Sequence, residues 1–101
     1  MNLFVYGTLK SNDIFKHVTG HNANYKSAIL FGYNQISELS IKKANKEDYV
    51  SGMVIDNLTE RDLSLIDYYE GIDRLYKRKK VEVKVEGGQK IVSWVYLPQN
   101  I

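Results

Sequence analysis

The sequence contains no cysteine among its 101 residues, a single proline and only two histidines. The absence of cysteine excludes disulfide scaffolds, thiol nucleophiles, zinc fingers and iron–sulfur sites. No apolar run approaches the roughly 20 residues that a membrane helix needs, and the N-terminal residues lack the basic and long apolar regions of a signal peptide. His17 and His21 alone do not suggest a histidine-rich metal site. We therefore expect a cytoplasmic protein with no metal and no fixed cofactor.

The charges are nearly balanced, because 14 Lys and Arg residues face 12 Asp and Glu residues, for a net charge of +2. This balance gives no reason to expect nucleic acid or an anionic membrane as a partner. The basic run Lys77–Lys80 is interpreted as a solvated strand end, and His17 and His21 as non-ligands, since Gly20 lies between them and no acidic partner is evident. The length predicts one domain over residues 1–101. The oligomeric state is left open.

Short apolar or alternating segments bounded by glycines predict several β-strands. The polar stretch Ser11–Asn24 is expected to be a loop with one turn of helix around Ile14 and Phe15. Val81–Val85 alternates apolar and charged residues, and Gly87-Gly88 then predicts the turn of a hairpin. The predicted strands are Leu3–Tyr6, Ser27–Ile36, Leu39–Ile41, Tyr49–Asp56, Val81–Val85 and Ile91–Leu97.

Residues 58–70 carry the clearest helix signal. Thr59 is a good N-cap, and Asp62 at the third helical position completes a capping box. Leu58 and Leu63 have the spacing of a hydrophobic staple, and Gly71 is well placed to end the helix. One good helix among many strands indicates an α+β fold with a small curled or closed antiparallel sheet.

Glu70 falls between Ile66 and Leu63 on a helical wheel, on the face that should meet the core. A carboxylate in a cleft at that place would have a raised pKa and suit general base catalysis. Alternatively, a glutamate in the last turn of a helix extends into solvent or pairs with Arg74. Asp67 is a nearby competitor that we expect at the rim.

The loop Tyr6-Gly7-Thr8-Leu9 follows the first predicted strand. A strand that ends in Gly-Thr can present several successive backbone N–H groups, which can hold a carboxylate or an oxyanion. The alternative is an ordinary turn from strand to loop.

Together these segments resemble the γ-glutamylcyclotransferase-like family, which includes the γ-glutamylamine cyclotransferases. Val5–Lys10 is similar to the opening signature of the family, and Ile66–Gly71 to the helix end that carries its catalytic glutamate. Tyr76-Lys77-Arg78 is similar to its Tyr-x-Arg segment, and Ser93–Tyr96 to its closing strand. The resemblance covers essentially the whole chain, although the segments 11–23 and 38–48 depart from the family pattern.

The resemblance implies a small mixed β-barrel with short flanking helices and a cavity at one end. It implies that Tyr6, Gly7, Thr8 and Leu9 bind the α-carboxylate end of a γ-glutamyl group, and that Glu70 is the acid/base residue. Tyr76 and Arg78 are expected to line or support the site.

The implied activity is a γ-glutamyl cyclotransfer, which releases 5-oxoproline and an amine or amino acid from a small γ-glutamyl substrate. This chemistry requires no metal, nucleotide or thiol. The alternative is a module on the same fold that binds a small metabolite or a partner without turnover. The sequence does not identify the leaving group.

Overall fold

The computed structural model describes residues 1–71 and 76–99. Five strands form a closed barrel in the order β1-β5-β2-β6-β7, and β3 and β4 form a separate two-stranded sheet. Two helices accompany them. In chain order the elements are β1 (Leu3–Val5), α1 (Asn12–Thr19), β2 (Tyr25–Phe31), β3 (Tyr33–Ser37), β4 (Ser40–Lys43), β5 (Tyr49–Ile55), α2 (Glu60–Glu70), β6 (Tyr76–Val85) and β7 (Lys90–Pro98).

The predicted α+β fold is confirmed. The sheet is the mixed barrel that the family resemblance implies, and not the antiparallel sheet that the strand pattern alone indicates. The short β1 closes the barrel by pairing antiparallel with β5 and parallel with β7. Its side chains alternate, as a strand requires. Phe4 packs inside the barrel, whereas Leu3 and Val5 pack with apolar residues of the two helices. β1 is therefore buried on both faces, which explains its continuously apolar sequence.

The helix α2 forms as its sequence predicts. Thr59 accepts a hydrogen bond from the Asp62 N–H, and the Asp62 side chain accepts one from the Thr59 N–H. Gly71 ends the helix in the left-handed region with φ 75° and donates its N–H to the Asp67 carbonyl. Ile66 and Leu63 are buried, so the apolar face meets the barrel. These caps fix the position at which Glu70 leaves the helix.

The prediction of a loop over Ser11–Asn24 is wrong, because its first part is the two-turn helix α1. Phe15 is fully buried, and Ile14 and Val18 pack beside it. These three positions form an apolar stripe of helical spacing, which the surrounding polar residues obscure. Gly20, with φ 87°, ends the helix. The helix packs against α2 and follows the loop at Tyr6–Leu9 through a single 3₁₀ turn, Thr8–Lys10.

The predicted strand Ser27–Ile36 is two strands, because Gly32 turns the chain with φ 86°. The second of them, β3, leaves the barrel and pairs with β4. The expected strand at Leu39–Ile41 begins one residue later, and Glu38 and Leu39 form the turn between β3 and β4. This turn reaches the end of the barrel, where the cavity described next is found. The hairpin β6–β7 is as predicted, with its turn at Gly87-Gly88.

Candidate active site

A cavity of about 350 Å³, counting its open mouth, lies where β1 ends. It is formed by the loop after β1, the turn between β3 and β4, the end of α2, and residues of β6 and β7. Six of the seven residues that the sequence singled out line it. The lining residues are Phe4, Val5, Tyr6, Gly7, Thr8, Leu9, Glu38, Leu39, Glu70, Tyr76 and Tyr96.

Glu70 is the last residue of α2, and its side chain is half-buried in this cavity. Burial removes water from the carboxylate and raises the pKa of Glu70 to about 7. The orientation predicted from the helical wheel is therefore found, with Glu70 on the cavity side of the helix. Arg74, the alternative partner of Glu70, lies outside the described residues. A carboxyl group with this pKa can both accept and return a proton near neutral pH.

The loop after β1 lines the same cavity with Tyr6, Gly7, Thr8 and Leu9. The N–H groups of Lys10 and Ser11 donate back to the carbonyls of Gly7 and Thr8, at 3.0 and 3.1 Å. Across residues 1–71 and 76–99, the N–H groups of Gly7, Thr8 and Leu9 show no hydrogen-bond acceptor. Free N–H groups that follow one another along a chain can hold an anion or an oxyanion.

The β3–β4 turn is a further part of the cavity wall and is held in place by close contacts. A Cβ atom on Gly7 would lie 2.4 Å from the Glu38 carbonyl oxygen, so the approach of the two segments requires glycine. The Gln35 side chain donates to the Tyr6 carbonyl at 3.2 Å, and the Tyr76 hydroxyl donates to the Leu39 carbonyl at 2.5 Å. The turn is thereby attached to both β1 and β6.

Three tyrosine hydroxyls belong to the cavity wall. Tyr6 donates to the Tyr96 carbonyl at 2.7 Å, and Tyr96 donates to the Asp67 carboxylate at 2.5 Å. Burial is the main cause that raises the pKa of Tyr6, Tyr76 and Tyr96, and the negative charge of Glu70 adds to it in each case. The three phenols therefore remain protonated, and each is close enough to Glu70 for its negative charge to raise the pKa of the phenol.

Arg78 is the one expected site residue that the structure places outside the cavity lining. Its Nε lies 3.3 Å from Asp67 Oδ1 as an ion pair, without the alignment of a hydrogen bond, and its guanidinium stacks 4.5 Å above the Trp94 ring. The register of β6 on β7 runs without a bulge from Tyr76 to Lys84, so Tyr76 and Arg78 lie on the face of β6 opposite to Val81 and Val83. Arg78 therefore contacts Asp67 and Trp94 and does not line the cavity itself.

His21 has an acidic partner that the spacing of residues did not reveal. Its Nε2 lies 2.8 Å from Asp62 Oδ1, and this hydrogen bond raises the pKa of His21. The pair joins the residues after α1 to the capping box of α2, far along the sequence. Within the described part of the chain, no group of three His, Cys, Asp or Glu residues could hold a metal ion. In the same part, no helix is long and apolar enough to cross a membrane.

Sequence reasoning missed the residues that reach the cavity from elsewhere in the fold. The sequence around Glu38 and Leu39 does not indicate a site. Their turn reaches the loop after β1 only because β3 and β4 leave the barrel and form a separate sheet. Tyr96 stands in a segment that the sequence interpreted only as a strand. Its alternation with the buried Val95 was the available signal, since it predicts that the tyrosine faces away from the barrel interior toward α2.

The match to a family model identifies the protein family of this chain. The model described as gamma-glutamyl cyclotransferase, AIG2-like, matches residues 3–101. The chain belongs to this family. The match includes every element of the cavity, from the loop after β1 to the closing strand β7.

Proteins similar to this chain carry names of the same kind. The gamma-glutamylcyclotransferase and putative RNase of Methanocaldococcus jannaschii is 24% identical over 95% of this chain, which spans 45% of that relative. A putative gamma-glutamylcyclotransferase of the same organism is 28% identical over 93% of this chain and 81% of its own length. A solved gamma-glutamyl cyclotransferase structure, 20% identical, has a TM-score of 0.84 over 99% of this chain and 67% of that one, a likeness of fold.

Proposed function

We propose that this chain is a γ-glutamyl cyclotransferase that converts a γ-glutamyl amide into 5-oxoproline and a free amine or amino acid. The observation that carries the proposal is the Glu70 carboxyl group, held in a cavity that is also lined by Gly7, Thr8 and Leu9, whose N–H groups have no acceptor among residues 1–71 and 76–99. Family membership and the names of the relatives support the same class of reaction.

The reaction needs a base, because an α-amino group has a pKa near 8 and is mostly protonated at neutral pH. Glu70 in its carboxylate form takes a proton from the substrate α-amine. It passes this proton to solvent. The amine nitrogen then attacks the γ-carbonyl carbon of the same molecule and forms the C–N bond of a five-membered lactam, and Glu70 takes the second proton that this nitrogen loses. When the bond to the leaving amine breaks, Glu70 returns the proton to that nitrogen. A positioned acid/base group of this kind contributes about 10²- to 10⁴-fold in rate.

The loop after β1 supplies the binding energy and the stabilisation of charge. Its free N–H groups anchor the α-carboxylate of the substrate and hold the chain folded so that amine and carbonyl meet, which is a gain of proximity. Main-chain donors at the carbonyl oxygen also stabilise the oxyanion that forms during attack. The hydrogen bond of 2.8 Å between Thr8 Oγ1 and the Tyr69 hydroxyl fixes this loop to α2, next to Glu70.

A panel of γ-glutamyl amino acids and γ-glutamyl amines, with 5-oxoproline measured by mass spectrometry, tests the proposal. We expect 5-oxoproline together with an equal amount of the leaving amine from at least one member. The matched control is the β-aspartyl analogue of that member. Because it is one methylene shorter, it would have to close a four-membered ring, and we expect no product.

Absence of product from the whole panel would contradict the proposal. If panel members then raise the melting temperature without being converted, the chain is a binding module on the same fold, which is the alternative that the sequence left open.

A further inference from the structure

Each of the three tyrosine hydroxyls around Glu70 donates its proton to a group other than Glu70. Tyr6 and Tyr76 donate to the main-chain carbonyls of Tyr96 and Leu39, whose positions follow from the fold. Tyr96 alone donates to a side chain, the carboxylate of Asp67. The acceptor of the Tyr96 hydrogen bond is therefore a side chain, that of Asp67, which can be removed by substitution.

Asp67 lies three residues before Glu70 on α2, so the two carboxylates lie on neighbouring positions of one helix face. Tyr96 donates to Asp67 directly and lines the cavity with Glu70. The charge of Glu70 also acts on the Tyr96 hydroxyl. The structure shows this phenol donating to Asp67, and without Asp67 the carboxylate that remains on this face of α2 is that of Glu70.

Arg78 holds Asp67 in the arrangement that favours this choice. Its Nε lies 3.3 Å from Oδ1, the same oxygen that accepts the Tyr96 proton. The guanidinium is in turn stacked on Trp94, which restricts its movement. A carboxylate makes a stronger hydrogen bond as acceptor than a neutral group does, so Asp67, paired with Arg78, competes well for the proton.

We propose that Asp67 is a positioning residue, which takes the Tyr96 hydroxyl proton and so keeps this donor away from the Glu70 carboxylate.

The consequence concerns how strongly Glu70 holds a proton. Hydrogen bonds to a carboxylate favour its charged form and lower its pKa, whereas burial without them raises it. In the described chain, the other titratable groups that line the cavity with Glu70 are Tyr6, Tyr76, Tyr96 and Glu38, and Asp67 lies on the same helix. The charge of Arg78 is directed to Asp67. If Tyr96 were released, it would become a donor to Glu70.

The test compares Asp67→Ala, Tyr96→Phe and the double variant, with the pKa of Glu70 measured by NMR of its carboxyl carbon. We expect Asp67→Ala to lower this pKa by about one unit, which is the size of a charge-assisted hydrogen bond. Tyr96→Phe should not lower it. Removing the Asp67 charge also lowers the Glu70 pKa, with or without the hydroxyl, because a neighbouring negative charge favours the protonated carboxyl. Asp67→Ala should therefore lower the pKa more in the presence of Tyr96 than in the Tyr96→Phe background.

The double variant separates this role from a merely structural or electrostatic one. If Asp67→Ala acted by loosening α2, by freeing Arg78 toward Glu70 or by the loss of its charge alone, the pKa would fall equally with and without the Tyr96 hydroxyl, and that result would overturn the proposal. An unchanged pKa in Asp67→Ala would also overturn it. Asp56→Ala is the matched control, since Asp56 has a lysine partner and a hydrogen bond away from the cavity and should leave Glu70 unaffected.

The catalytic importance of this arrangement rests on the proposed function, but the NMR measurement does not. If the chain is a cyclotransferase, the acid limb of kcat/KM against pH should move down with the pKa in Asp67→Ala, and by less when Asp67→Ala is made in the Tyr96→Phe background. A pKa that moves as expected in a protein without turnover would support the role of Asp67 and contradict only the proposed function.

Discussion

Glu70→Gln should lower the rate of 5-oxoproline formation by about 10²- to 10⁴-fold, because the amide cannot take the proton from the substrate amine. The main effect should be on kcat, since glutamine has nearly the same shape and leaves the loop after β1 in place to bind substrate. Rates of substrate conversion with the purified variant, measured by mass spectrometry, check this. Glu60→Gln on the exposed first turn of the same helix is the matched control and should retain wild-type rates.

The same variant should become more stable than the wild type at alkaline pH. The folded pKa of Glu70, about 7, is above the ordinary value of 4.5, so folding disfavours the charged carboxylate. Below pH 4.5 the group is protonated in both states and has no effect. As pH rises from 4.5 through 7, the wild type loses stability relative to Glu70→Gln. Urea unfolding at pH 4 and pH 8 measures the difference. Retained turnover or equal stability differences at both pH values would contradict the role given to Glu70.

Gly7→Ala should damage both the fold and the site. The new Cβ would lie 2.4 Å from the Glu38 carbonyl oxygen, a main-chain atom that cannot rotate away. The β3–β4 turn must therefore separate from the loop after β1. We expect a loss of about 1–3 kcal/mol in the free energy of unfolding, as for other overpacking substitutions. Since the displaced loop carries the anchoring N–H groups, we also expect a loss of roughly 10²-fold in kcat/KM.

Urea unfolding and substrate conversion at a temperature where the variant is folded measure these two effects separately. The amide resonances of Glu38 and Leu39 should shift, whereas those of the distant Gly87-Gly88 turn should not. Wild-type stability together with wild-type kcat/KM in Gly7→Ala would show that the contact between the two segments has no role in forming the cavity.

The parts of the fold that were predictable depend on local interactions. Thr59, Asp62 and Gly71 act within one or two helical turns, so their types and spacing suffice to define α2 and to orient Glu70. The alternation of Val81, Val83 and Val85 similarly defines a hairpin strand. The helix α1 was not predicted, because its apolar stripe is narrow and its remaining residues are polar.

The contacts that complete the site could not be predicted, because they join residues far apart in sequence. Tyr96 and Asp67 are separated by 29 positions, and His21 and Asp62 by 41. No local pattern specifies such pairs, since they depend on how the barrel closes. The resemblance to a family supplied the roles of the loop after β1 and of Glu70, whereas the arrangement of Asp67, Arg78 and Trp94 behind them came from the structure.

The most direct test of the account is the pH titration of Glu70 itself, followed through the chemical shift of its carboxyl carbon in the wild-type protein. Burial in the cavity predicts a midpoint at about 7, and the acid limb of kcat/KM for 5-oxoproline formation should have the same midpoint. A midpoint near 4.5, the ordinary value for a glutamate, would place the carboxylate in water and contradict its assignment as the base.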